Sequence, residues 1–127
     1  MKINKNIKIL VMIVSFIVLV LLFVNFENSK VKNSELLSEI EKIGEATDLI
    51  EKNKYVEAID TLNEIKSVDL YYLKNQHLGD VEYIKGNYEG AISFYNIAQI
   101  HAKDKIMYDY ISKRVSYIKT VKLKKGA

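Results

Sequence analysis

The chain has no cysteine, no proline, five glycines and two histidines in 127 residues. Without cysteine it has no disulfide framework, no thiolate metal site and no acceptor for a lipoprotein anchor, and redox chemistry says nothing of its compartment. Without proline, and with few glycines, little in the composition interrupts a helix. The 49% share of hydrophobic residues completes the helical bias. His77 and His101 stand 24 positions apart and belong to no H-x-x-E or H-x-x-x-H spacing, which argues against a zinc site. No serine lies near a histidine or a glycine-rich elbow, and the isolated glycines form no phosphate-cradling loop. The acidic pairs Glu35/Glu39, Glu39/Glu41 and Glu57/Asp60 read as exposed helix faces. No catalytic residue, metal ligand or cofactor is expected, and the chain reads as a non-enzyme.

What the chain does have is one long apolar run. Ile9 to Val24 is broken only by Ser15, whose hydroxyl can bond back to a helix carbonyl. Extended to Ile7 and Phe26, with Lys8 reaching outward, it makes about 20 residues or about 30 Å of helix, enough to cross a bilayer. No small-x-small cleavage site follows, so residues 1–26 read as an uncleaved signal-anchor rather than a removed signal peptide. Lys2, Lys5, Lys8 and the amino terminus precede the run, against Lys30 and Lys32 after it. That balance places the N-terminus in the cytoplasm and the remainder outside it. Heavy use of Ile, Lys and Asn fits a low-GC genome, so the expectation is a single-pass protein of a bacterial inner membrane. The polar stretch 27–34, ENSKVKNS, reads as a juxtamembrane linker.

The densest pattern lies at residues 78–98, LGDVEYIKGNYEGAISFYNIA. Small residues stand at Gly79, Gly86, Ala91 and Ala98, and bulky ones at Leu78, Tyr83, Tyr88 and Tyr95. Two helical wheels fit it, separated by a break at Lys85-Gly86-Asn87. Gly86 suits the left-handed position that ends the first helix, and Asn87 suits the N-cap of the second. Gly79, Ala91 and Ala98 fall where two antiparallel helices must touch, and the tyrosines fill the space around them. This spacing resembles the tetratricopeptide repeat (TPR), a helix–turn–helix unit of about 34 residues. Counted from Tyr72, Leu78 and Gly79 take the paired Leu-Gly positions, Gly86 the turn, Tyr88 the aromatic, and Ala91, Tyr95 and Ala98 the small/aromatic/small positions. Asn75 stands where Trp or Leu is usual, and no proline closes the unit.

A weaker copy precedes it. Leu36, Leu37, Ile40, Ile43, Ala46 and Ile50 keep helical spacing, Asn53-Lys54 breaks it, and Tyr55, Ala58, Ile59, Leu62 and Ile65 resume. At a constant offset of 33 residues, Tyr55 aligns with Tyr88, Ala58 with Ala91, Leu62 with Tyr95 and Ile65 with Ala98. Ala46 takes the place of Gly79, while Glu45 stands where Leu78 does. Residues 35–71 therefore read as a degenerate first repeat and 72–104 as the second. Asp104 is a natural N-cap for a last helix, whose apolar face runs Ile106, Met107, Tyr110, Ile111, Val115, Ile118 and Val121. Residues 105–127 then cover the last apolar face of an all-α, solenoid-like stack, as a capping helix with a basic tail.

Charge is segregated along the chain. Residues 27–102 hold eight lysines against fourteen acids, whereas 103–127 hold seven lysines and Arg114 against two acids. The tail VKLKKGA reads first as a solvated helix end, and contact with anionic lipid is the functional alternative. A single short basic tail does not suggest nucleic acid. The resemblance implies a concave groove lined by Leu73, Gln76, Asp80, Tyr83 and Ile84 of the second repeat. Met107, Tyr110, Arg114 and Tyr117 of the capping helix join them, with Ile40, Ile43, Thr47 and Ile50 of the first repeat. The Lys and Asn set with which some TPRs grip a terminal carboxylate is missing at these positions. An amphipathic helix or an apolar peptide of a protein partner fits the lining better. The expected function is a membrane-tethered interaction module. A homo-oligomeric or structural subunit of a membrane complex, and a secreted form released by cleavage, remain open from sequence.

Overall fold

The computed structural model describes residues 4–124, and all its regular elements are helical. Helix α1 spans Lys5–Glu51, α2 Tyr55–Asn63, α3 Tyr71–Ile84, α4 Tyr88–Ile100 and α5 Lys105–Tyr117. A short 3-10 turn, Val68–Leu70, leads into α3, and α5 runs on into a widened π-type turn, Ile118–Leu123. Lys2 and the terminal Lys125-Gly126-Ala127 lie outside the described residues. The chain divides into two compact units, Met1–Leu37 and Ser38–Ala127.

Helix α1 is long and apolar enough to cross a membrane, and none of its most apolar stretch is buried. Residues 27–34, read from sequence as a linker, are helical within α1. The stretch is polar, but it contains neither glycine nor proline. Helix extension costs little once a helix is under way, and polarity alone is no stop signal.

Real stop signals occur at two places, and they are the same motif. At the end of α3, Gly86 has φ +81°, its amide donates to Tyr83 O at 3.0 Å, and the Asn87 amide donates to Glu82 O at 2.9 Å. At the end of α1, Asn53 has φ +59°, its amide donates to Ile50 O at 3.0 Å, and the Lys54 amide donates to Leu49 O at 2.8 Å. Both are paired 6→1 and 5→2 closures around a left-handed residue. Asparagine tolerates that conformation less readily than glycine, but better than other side chains. Asn87 then caps α4 by accepting from the Gly90 amide at 3.2 Å, and Asp104 caps α5 by accepting from the Met107 amide at 2.9 Å. The α1/α2 and α3/α4 hairpins thus share one turn at the 33-residue offset seen in the sequence.

Packing in the second unit follows the same offset. Ala46, Ala58, Ala91 and Ala98 are fully buried, as are Leu62 and Tyr95, the aligned bulky pair. A β-carbon added to Gly79 would stand 2.6 Å from Cε1 of Tyr95, so only glycine lets α3 approach α4 this closely. Tyr72, Ala91, Tyr95, Ala98, Ile111, Val115 and Ile118 form one core cluster that joins α3, α4 and α5. The irregular segment between α2 and α3 is tied down by side chains. Glu39 accepts from the amides of Lys66 and Ser67, both at 3.0 Å, and Lys74 Nζ donates to Ile65 O at 3.0 Å. Those bonds satisfy backbone groups that no helix or strand would otherwise pair.

Candidate functional site

Two helices carry the site. On α3, Asp80 and Tyr83 lie about one turn apart, and on α5 Tyr110, Arg114 and Tyr117 follow one another at spacings of four and three. Helical periodicity alone puts each set on one side of its helix. The α4 core residue Tyr95 joins them.

The joint is a hydrogen-bonded group of three. Tyr95 is fully buried, and a buried phenol hydroxyl has to find a partner. It donates to Asp80 Oδ1. Arg114 donates to the same carboxylate oxygen through Nη2 at 3.0 Å, and to the Tyr95 hydroxyl through Nη2 at 2.8 Å and Nε at 3.2 Å. Burial and the bond to Asp80 push the Tyr95 phenol above the ordinary tyrosine range, against the opposing pull of Arg114. Burial alone would lower the guanidinium of Arg114, but its bonds to Tyr95 and the nearby Asp80 charge outweigh that and hold it above its usual value. His77 lies 3.9 Å from the other Asp80 oxygen, and burial keeps its imidazole below the ordinary histidine value despite that carboxylate.

Aromatic rings surround the cation. The Arg114 guanidinium carbon lies 5.2 Å from the centre of the Tyr95 ring and 5.8 Å from those of Tyr83 and Tyr110. Such contacts each contribute about 0.5–1 kcal/mol when partly exposed. Tyr83 meets Tyr88 edge-on at 5.6 Å, and Lys122 Nζ stands 6.0 Å from the Tyr83 ring centre. Beside this group opens a mostly apolar cleft of about 340 Å³, lined by Tyr83, Tyr110, Lys113, Arg114, Tyr117 and Ile118. Tyr110 and Tyr117 are 45% and 49% exposed, too much for rings serving only as core. A second recess of about 390 Å³ is lined by Thr47, Ile50, Glu51, His77, Asp80, Tyr83, Ile84 and Arg114. Tyr83 and Arg114 belong to both.

Of the residues expected from sequence to face a partner, Asp80, Tyr83, Tyr110, Arg114 and Tyr117 come together here, with Ile84, Thr47 and Ile50 in the adjoining recess. Leu73 does not: it packs against the core cluster. Gln76 is half-buried and lines neither opening. Met107 also packs on the core, where its carbonyl accepts from the Tyr72 hydroxyl at 3.2 Å, and Ile40 and Ile43 line neither opening. Sequence reasoning missed Lys113, Ile118, His77 and Glu51, and it placed Tyr95 as a spacer only. The one available signal was that Tyr95 is tyrosine rather than phenylalanine at a core position, on the helix next to Asp80. Among the described residues no group of three or more His, Asp or Glu side chains could hold a metal ion.

No protein-family model matches the chain, and neither a curated protein nor a solved structure matches it. Its reading therefore rests on its own residues.

Proposed function

We propose that this chain is a membrane-tethered interaction module: a TPR-like pair of helical hairpins with a capping helix, held at a bilayer by the apolar part of α1. The observation that carries the reading is the aromatic cleft around Arg114. A guanidinium fixed from behind by Asp80 and Tyr95, flanked by half-exposed tyrosines, is a preorganised contact surface, and Tyr and Arg are the residues that most often dominate binding energy. The partner is a protein that offers a helix or an extended apolar segment. Tethering confines the module to a surface and so raises the effective concentration of a partner there. The basic flank at Lys2, Lys5 and Lys8 favours a cytoplasmic N-terminus, with the helical hairpins on the opposite side. The Lys-rich end offers a further contact with anionic lipid.

Site-directed photo-crosslinking in the native cell tests the reading. A photoreactive residue at Tyr83 or at Tyr117 is expected to trap the same heterologous protein, and one at exposed Lys52 is expected to trap nothing. If both cleft positions yield only adducts between copies of this chain, the cleft is an oligomer interface and the module is a structural subunit.

A further inference from the structure

The cleft selects a charge as well as a shape. Arg114 has five N–H donors, and Nε and Nη2 are engaged by Tyr95 and Asp80. Nη1 donates to nothing among the described residues, while the side chain as a whole remains 33% exposed on the wall of the cleft. Lys113 lines the same cleft, and Lys122 Nζ stands 6.0 Å from the centre of the Tyr83 ring. Near these three cations stand two carboxylates: Asp80, which already accepts from two donors at a single oxygen, and Glu51, which lines the adjoining recess with Arg114.

We propose that the occupant is an acidic amphipathic helix of a partner protein. One of its carboxylates pairs with Arg114 Nη1, and a neighbouring apolar side chain lies against Tyr110 and Tyr117. This rests on the partner-binding reading above and specifies the partner's chemistry. Three considerations carry it. A basic ligand would bring like charges together in a partly desolvated place, and a purely apolar one would cover Nη1 without pairing it, at the desolvation cost of a charged donor. A carboxylate instead forms a charge-assisted bond, roughly twice as strong as a neutral one. Finally, Tyr110, Arg114 and Tyr117 form one row on α5 that rises about 10 Å over seven residues, and a facing helix with contacts at i, i+4 and i+7 rises by the same amount.

The test is selection from a randomised helical peptide library displayed against the full chain in lipid nanodiscs, with Tyr117→Ala, Arg114→Gln and Lys113→Gln as comparison targets. Peptides that lose binding on Tyr117→Ala are expected to be enriched in Glu or Asp beside aliphatic or aromatic residues. Replacing the enriched acid by its amide should weaken them about tenfold, and Lys113→Gln should weaken them several-fold, more at low salt than at high. Arg114→Gln should remove the acidic preference; if that variant does not fold, the response to exposed Lys113→Gln decides between acidic and other ligands. Cleft-dependent peptides that are neutral or basic would overturn the acidic assignment while leaving the partner-binding reading in place. Recovery of no peptide sensitive to Tyr117→Ala would remove both.

Discussion

Replacing Gly79 by alanine tests the packing that brings the site together. Its β-carbon would stand 2.6 and 2.7 Å from Cε1 and Cδ1 of Tyr95, where carbon atoms normally sit about 3.5–4.0 Å apart. The ring cannot swing aside freely, because its hydroxyl is held by Asp80 and Arg114 and the side chain is fully buried. Relief must come from separating α3 and α4 or from loosening the network, at a cost of about 3 kcal/mol, near the top of the usual range for overpacking. Alanine returns about 1 kcal/mol of helix propensity. The net expectation is a loss of about 2 kcal/mol, which lowers the melting midpoint by roughly 10 °C for a unit of this size. Gly44→Ala is the internal control. A β-carbon there meets nothing within 4 Å, so the same substitution in α1 should stabilise by about 0.5–1 kcal/mol. All nine tyrosines lie between Tyr55 and Tyr117. Near-ultraviolet tyrosine circular dichroism of the full chain in detergent therefore reports on the second unit, without interference from the apolar helix. If Gly79→Ala melts at or above the wild-type temperature, the close approach of α3 to α4 is wrong.

Two further outcomes follow from the same structure. The Tyr95 phenol is held protonated above its ordinary value near pH 10, so its stabilising contribution is complete below that pH and is lost as pH rises through the folded-state value. Urea midpoints should fall at alkaline pH, and Tyr95→Phe should flatten that fall while lowering stability at neutral pH; an unchanged slope in the variant would assign the alkaline loss elsewhere. Glu39→Ala removes the acceptor for the amides of Lys66 and Ser67 and should cost about 1–2 kcal/mol by the same melt, whereas Glu41→Ala, with no such bonds, should change it by under about 0.5 kcal/mol.

The turns were legible in the sequence because their chemistry is local. Gly86, Asn87 and Asp104 stand where the backbone needs a left-handed residue and two caps, and Asn53 marks the matching turn one unit earlier. The small positions were legible as well, since Ala91 and Ala98, seven residues apart, fall on one face of a helix. The helix through residues 27–34 was not, because a polar stretch without a breaker looks the same whether it is coiled or helical. Nor was the difference between Arg114 and Leu73, both placed facing a partner by helical period. Which of them ends at a cleft depends on how α5 and α3 pack around Tyr95, and that is a contact between residues 15 to 34 positions apart. The sequence of either helix alone carries no trace of it.

The matching closures at Asn53 and Gly86 bear on how such a chain can grow. Each joint is made almost entirely from main-chain amides and carbonyls, with one left-handed residue as its only strict requirement. A gene segment encoding one 33-residue period could therefore be duplicated or lost in frame, and the new junction would still find its hydrogen bonds. Changes in length are then tolerated at the joints, and selection can act separately on the few side chains, such as Arg114, that line the cleft.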